Sequence, residues 1–158
     1  MDIDFDAIAK GMAIAVPYIS HMGIEVTEMG DGTATAVLPD RPELHNHVGS
    51  QHAGALFGVA ETASGAAFVG AFAVRMGDVT PLARQAEIQY LKIANGRIEA
   101  RAKLGVDAAE ALATLDADGK VEFPCEVELH DKDGNRVATA TVHWHVRLKG
   151  APASGAGT

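Results

Sequence analysis

The chain has 158 residues, with 13 Lys+Arg against 21 Asp+Glu and a formal net charge of −8. At 47% hydrophobic and 22% charged it reads as one globular domain, and a domain of this size buries about 68–70% of its unfolded surface without a staple. The acidic balance excludes a non-specific nucleic-acid binder, which needs a basic face, and the one cysteine, Cys125, excludes a disulfide framework and a CxxC redox or zinc site.

The first residues, MDIDFDAIAK, are acidic and place no basic stretch before an apolar run. No signal peptide is expected, and the expected location is cytoplasmic. In residues 2–20, Ile3, Phe5, Ile8, Met12 and Val16 recur at helical spacing. This predicts one short amphipathic helix, capped by Asp4 or Asp6 and ended or bent at Pro17. The period then becomes two. Ile24, Val26 and Met29 predict a strand, Gly30-Asp31-Gly32 a turn, and Thr33 to Leu38 a second strand, together a β-hairpin. Residues 39–51 form a polar loop.

Residues 52–74, HAGALFGVAETASGAAFVGAFAV, carry one interior charge, Glu61. A helix apolar on nearly every side is buried in protein or in a membrane. The segment has transmembrane length and a Gly54-x-x-x-Gly58 match. Its Ala and Gly richness and its mid-span Glu61, Thr62 and Ser64 favour a protein core, since Asp or Lys at bilayer depth costs ~2.5–3.5 kcal/mol and Glu should be comparable. No membrane association is expected.

Residues 75–81 predict a turn, and Leu82 to Ile93 a strand. Asn95-Gly96 signals a hairpin into Arg97–Leu104, where Arg97, Glu99, Arg101 and Lys103 face one way and Ile98, Ala100, Ala102 and Leu104 the other. Residues 107–117 predict a short helix leaving through Asp118-Gly119. Strands follow at Val121–Leu129 and, after Asp133-Gly134, at Arg136–Leu148. Residues 149–158 predict a flexible tail. The whole predicts an α+β fold over residues 1–148, an antiparallel β-sheet wrapped around one long central helix.

Two features carry chemistry. A carboxylate in an apolar helix, Glu61, is costly unless it is paired, solvated or used. The loop Asn46, His47, Gly49, Ser50, Gln51, His52 lies beside a helix N-terminus, whose free N–H groups suit an oxyanion; ordinary capping by Ser50 or His52 is the alternative. Ala53 and Glu61 are eight residues apart in sequence, roughly 12 Å along a helix at about 1.5 Å per residue. One carbonyl cannot lie ~3 Å from both. If both act together, they come from two antiparallel helices, which a symmetric dimer supplies. His45-x-His47 and His143-x-His145 lack an acidic ligand at metal-binding spacing, so no metal is expected.

The stretch Arg41-Pro42-Glu43-Leu44-His45-Asn46-His47-Val48-Gly49-Ser50-Gln51-His52-Ala53-Gly54-Ala55-Leu56, continued by Glu61-Thr62-Ala63-Ser64-Gly65, resembles the hotdog-fold acyl-CoA thioesterases, in the PaaI-type and 4-hydroxybenzoyl-CoA thioesterase branch. That family's motif has Asn, then Gly, then His-Gly-Gly at the helix start, with Asp or Glu nine residues after the His. Asn46, Gly49, His52 and Glu61 stand at those offsets. Leu38-Pro39 and Tyr90-Leu91-Lys92 also look like the family's strand ends. The resemblance implies hydrolysis of small or medium acyl- or aryl-CoA thioesters, with no cofactor beyond the coenzyme A of the substrate. It implies Glu61 as base or nucleophile and the N–H at Ala53 or Gly54 of a partner subunit as oxyanion donor. Asn46 would orient water or substrate, and His52 would hold the loop or the thioester. Gly49, Thr62, Arg84, Tyr90 and Lys92 are expected at the substrate, Arg84 and Lys92 for the phosphates and Tyr90 for the acyl pocket. The departure is Ala53, where the family has Gly; a backbone donor survives it, with less room. A homodimer, or a tetramer as a dimer of dimers, is expected. The alternative function is a non-catalytic acyl-CoA-binding or regulatory hotdog domain.

Overall fold

The structure, a computed structural model, describes residues 2–151. Of the expected tail, 152–158 lie outside the described residues. The N-terminal segment is two helices rather than one, α1 (Phe5–Ala15) and α2 (Pro17–Met22). Pro17 takes the first position of α2, where its missing N–H costs nothing, and forces Val16 out of the helical region to φ −115°, ψ 98°. Asp4 caps α1 by accepting the Ala7 N–H at 2.9 Å.

The strands are β1 (Glu25–Met29), β2 (Thr33–Leu38), β3 (Val79–Tyr90), β4 (Ile98–Leu104), β5 (Lys120–His130) and β6 (Arg136–Leu148). They form one six-stranded sheet in the order β1-β2-β4-β5-β6-β3, and every pair is antiparallel. The expected β1–β2 hairpin forms. The expected β3–β4 hairpin does not: β3 pairs with β6 at the sheet edge, and β4 lies between β2 and β5. Asn95-Gly96 encodes a backbone turn, and Gly96 does adopt φ +74°. A turn residue sets a dihedral, not the identity of the neighbouring strand. Here the β5–β6 ladder occupies the space a hairpin would fill.

The long helix α3 (Ala53–Ala71) lies across the concave face of the sheet. It is the one helix among the described residues long and apolar enough to cross a membrane, and it is the mostly buried core helix. Its sheet side is built from Ala55, Ala60, Ala63, Ala66 and Ala67, all buried. These small side chains let the helix sit low on strands whose inward residues include Ala36, Ala100 and Ala140. Closeness is greatest at Gly70, where a Cβ would overlap the Gly30 carbonyl oxygen. β4 shows the expected two faces, with Ile98, Ala100, Ala102 and Leu104 buried and Arg101 and Lys103 exposed. A fourth helix, α4 (Ala108–Asp118), capped by Asp107 and closed by a left-handed Gly119, packs on β5.

α3 covers β2, β4 and β5 but makes no substantial contact with β3. The inner face of β3 is therefore open in the single chain, with Ala83 exposed and Ala86 and Ile88 half-buried.

Candidate active site

The loop before α3 is shaped by one side chain. Asn46 Oδ1 accepts the N–H groups of Val48 and Ser50, each at 3.1 Å. Its Nδ2 donates to Ser50 Oγ at 2.8 Å and to the Gln51 carbonyl at 3.4 Å. Gly49 closes the turn at φ +79°, a conformation an L side chain resists. Gln51 then pins the loop to its neighbours. Its N–H donates to the Ala94 carbonyl at 2.8 Å, and its Nε2 to the carbonyls of Pro39 at 3.0 Å and Gly96 at 2.8 Å.

His52 is the N-cap of α3, and its Nδ1 accepts the Gly54 N–H at 2.8 Å. That leaves the Ala53 N–H, which donates to no backbone acceptor among the described residues. Tyr90 at the end of β3 donates its hydroxyl to the Ala53 carbonyl at 3.1 Å, tying edge strand to helix start. Beside this terminus opens a cleft of about 510 Å³, lined by Asn46, Val48, Ser50, Ala53, Tyr90 and Lys92 among others. The cleft has an apolar rim: Val48, Leu91 and Ile93 are exposed, Ile93 by 70%. The unpaired helix terminus and Lys92 give it a positive character suited to an anionic ligand.

Glu61 lies two turns further along α3. With Gly54 and Phe57 it forms a less buried stripe of the helix, Phe57 being 38% exposed. Burial pushes the Glu61 carboxyl above its ordinary range, and no charged or hydrogen-bonding side chain offsets this. A carboxyl so placed is poised to accept a proton.

The structure thus gathers Asn46, Ala53, Tyr90 and Lys92 at one cleft and sets Glu61 apart from it on the same chain. Thr62 is buried, its hydroxyl donating to the Gly58 carbonyl at 2.8 Å inside its own helix. Arg84 is elsewhere, exposed on β3 and ion-paired with Glu122 of β5, which also bonds His145 Nδ1 at 2.8 Å. These two partners hold the Glu122 carboxyl below its ordinary range, His145 foremost. Tyr18 of α2, which the sequence did not single out, packs its ring on α3 at Gly58.

The family described as "Domain of unknown function (DUF4442)" matches residues 5–146. No curated protein matches the chain. Among solved structures, it resembles a Pseudomonas aeruginosa protein described as a probable thioesterase, with 24% identity, 94% of this chain and 98% of that one covered, and a TM-score of 0.81. A thioesterase family protein from Silicibacter pomeroyi matches at 18% identity over 91% and 98% of the two chains, TM-score 0.73. The Escherichia coli PaaI protein of the phenylacetic acid degradation operon matches at 22% identity over 92% and 94%, TM-score 0.69. At these identities the likeness carries the fold, which is the hotdog fold.

Proposed function

The chain belongs to the DUF4442 family, and from its hotdog fold and its likeness to thioesterase structures we propose that it is an acyl-CoA thioesterase acting on small or medium acyl or aryl thioesters. The observation that carries this reading is Glu61, the sole charged residue of α3, half-buried on the helix stripe it shares with the exposed Gly54 and Phe57. The fold alone would not suffice, because fold does not fix chemistry.

The site is composite and lies between two copies of the chain. The edge strand β3, with Leu82 exposed on one face and Tyr90 on the other, and the uncovered inner side of β3 supply a surface that a second copy would bury. Two antiparallel α3 helices would bring Ala53 of the partner subunit to Glu61, which the roughly 12 Å spacing forbids within one chain. Glu61 takes a proton from a water that attacks the thioester carbonyl, the C–S bond breaks and the proton passes to the departing sulfur; or Glu61 attacks the carbonyl itself, and water then hydrolyses the mixed anhydride to free the acid and restore the carboxylate. The Ala53 N–H stabilises the oxyanion, a donor worth ~2.7–4 kcal/mol. Coenzyme A leaves as the thiol. Lys92 meets a phosphate at the cleft mouth, Tyr90 holds the helix start, Gly49 and His52 fix the loop, and Asn46 shapes it. With its amide occupied, Asn46 acts through the loop rather than on the substrate.

A second reading, a non-catalytic acyl-CoA-binding domain, has one observation in its favour. The Gly54 N–H is occupied by His52, which leaves one backbone donor where the resemblance allows two.

The test is thiol release from a panel of acyl- and aryl-CoA thioesters, with Glu61→Gln in parallel. Turnover should fall about 10²–10⁴-fold in the variant, with the fold kept. A folded dimer that releases thiol from none of the panel selects the binding reading. A monomer at micromolar concentration, by sedimentation, rules out the composite site.

A further inference from the structure

Two ties join α3 to the side of the sheet where β3 lies uncovered. At one end the Tyr90 hydroxyl donates to the Ala53 carbonyl at 3.1 Å. At the other, Trp144 of β6, paired in register with Ala83 of β3, lays its indole on α3 at Gly65. Its Cζ2 and Cη2 stand 3.7 and 3.8 Å from the place of the absent Cβ. Glu61 stands between the two ties along the helix, one turn before Gly65 and on the same face. On β3, the half-buried Ala86 and Ile88 lie between them.

The indole carries one polar atom, and that atom has no partner. Trp144 is 7% exposed, and its Nε1 is shut off from solvent and finds no acceptor among the described residues. The ring itself is firmly held: Phe68 stacks on it at 5.6 Å, and Phe123 is its neighbour in register on β5. In an indole the N–H and the Cζ2–H leave the ring along the same edge. The edge turned to Gly65 is therefore the edge that carries the N–H. Gly65 is only half-buried, so the space beside that edge is not closed. A buried N–H without an acceptor costs free energy that a phenyl ring would not, which sets Trp144 apart from the aromatic core around it.

We propose that Trp144 is a specificity-determining residue: its N–H donates to an acceptor oxygen on the acyl or aryl group of the thioester, about one helical turn, roughly 5 Å, from the carbonyl that reacts at Glu61. This rests on the reading of Glu61 as base or nucleophile. The neighbours of the indole decide which oxygen. Phe68, Phe123, Ala83 and Gly65 bring no side-chain acceptor, so a hydroxyl would satisfy the indole and leave its own proton unpaired. A ketone or ether oxygen accepts and brings no proton. The substrate class is an oxoacyl or alkoxyaryl thioester, in preference to a plain hydrocarbon or a hydroxylated one. The ring serves the aromatic core and the N–H serves the ligand. The contact thus sets which thioester is chosen and leaves the chemistry to Glu61.

The experiment compares kcat/KM within two isosteric pairs, 5-oxohexanoyl- against 5-methylhexanoyl-CoA and 4-methoxybenzoyl- against 4-ethylbenzoyl-CoA, in the parent and in Trp144→Phe. In the parent at least one pair should favour the oxygenated member about tenfold, and in Trp144→Phe that preference should vanish. A merely structural Trp144 would lower both members alike and keep their ratio. No preference in the parent, or a preference kept in the variant, overturns the proposal while leaving the thioesterase reading intact. 5-Hydroxyhexanoyl-CoA should be turned over less well than the 5-oxo thioester, and the reverse order overturns the choice of oxygen. Trp144 is the sole tryptophan, so nitrogen-15 NMR shows one indole N–H resonance, which decides the matter should Trp144→Phe not fold. Glu61→Gln is titrated with each pair. A downfield move with the oxygenated member alone supports the contact, and the same response to both members overturns it. If the parent releases no thiol from any thioester, the thioesterase reading fails by itself, and the indole resonance still decides the contact in the same way.

Discussion

The two halves of α3 are built from the same small residues and do different work. In the C-terminal half, Phe68 lies tilted against Phe72 at 4.8 Å and stacks on Trp144 at 5.6 Å, and Phe72 stacks on Phe123 at 5.6 Å. Phe68 and Phe72 are fully buried. In the N-terminal half, Gly54 and Phe57 are exposed and Glu61 is half-buried. The aromatic cluster concentrates apolar burial at one end of the helix, so the other end can hold a desolvated carboxyl and an open terminus without loss of the fold. On the proposed function, stability and chemistry are separated along one helix by roughly two turns.

Substitutions in each half should break that comparison in opposite ways. Phe68→Ala empties the centre of the aromatic cluster and should cost about 3–5 kcal/mol, read as a lower urea midpoint with an unchanged slope. Thiol release per folded molecule should survive. If activity falls further than the folded fraction, the two halves are coupled and the separation is wrong. Asn46→Ala acts at the other end. It removes four hydrogen bonds that define the loop and leaves buried polar groups behind, which should cost about 1–3 kcal/mol. Turnover should drop with it, while coenzyme A binding through Lys92 persists in calorimetry.

Glu61→Gln gives a smaller stability effect, with the opposite sign. Burial raises the folded pKa of Glu61 above its ordinary value of 4.5, so the native state holds this proton more tightly than the unfolded chain does. The associated stability is fully present below that ordinary value and is lost as pH rises through the folded pKa. Glutamine has no such loss. Urea unfolding of parent and variant across pH should show the variant gaining relative to the parent as pH rises above 4.5. Parallel curves would mean that the carboxyl is solvated in the folded protein and not held for chemistry.

Much of this was legible in the sequence where the pattern was local. Thr33–Leu38 and Arg136–Leu148 alternate cleanly between turns, and the strands occupy those residues. Pro17 marked the helix break, although one bent helix was expected where two formed. The β3–β4 relation was not legible, because Asn95-Gly96 specifies a left-handed glycine and says nothing of which strand lies alongside. At the site, the sequence offered Ser50 or His52 as the helix cap, and His52 is the one that caps. The approach of Tyr18 to Gly58 was not legible, because a glycine in an apolar helix looks the same whether a helix or a phenol fills the space. Arg84 was expected at the substrate because it is basic and follows the helix, and a strand sequence does not reveal that β5 will place Glu122 beside it.

Arg84→Ala is the smallest expected effect and the sharpest check on where the ligand lies. Both members of the Arg84–Glu122 pair are exposed, at 63% and 55% of the side-chain surface, and such pairs are worth about 0–1 kcal/mol. Truncating Arg84 should leave the urea midpoint nearly unchanged. Lys92→Ala removes a cation from the cleft itself and should raise KM for a CoA thioester while leaving stability alone. The contrast between the two variants locates the phosphates. A KM that rises only with Lys92→Ala puts coenzyme A at the helix terminus. A KM that rises equally with Arg84→Ala means the nucleotide runs outward along β3 and Glu122 is displaced from its pair, which would extend the binding surface well beyond the cleft.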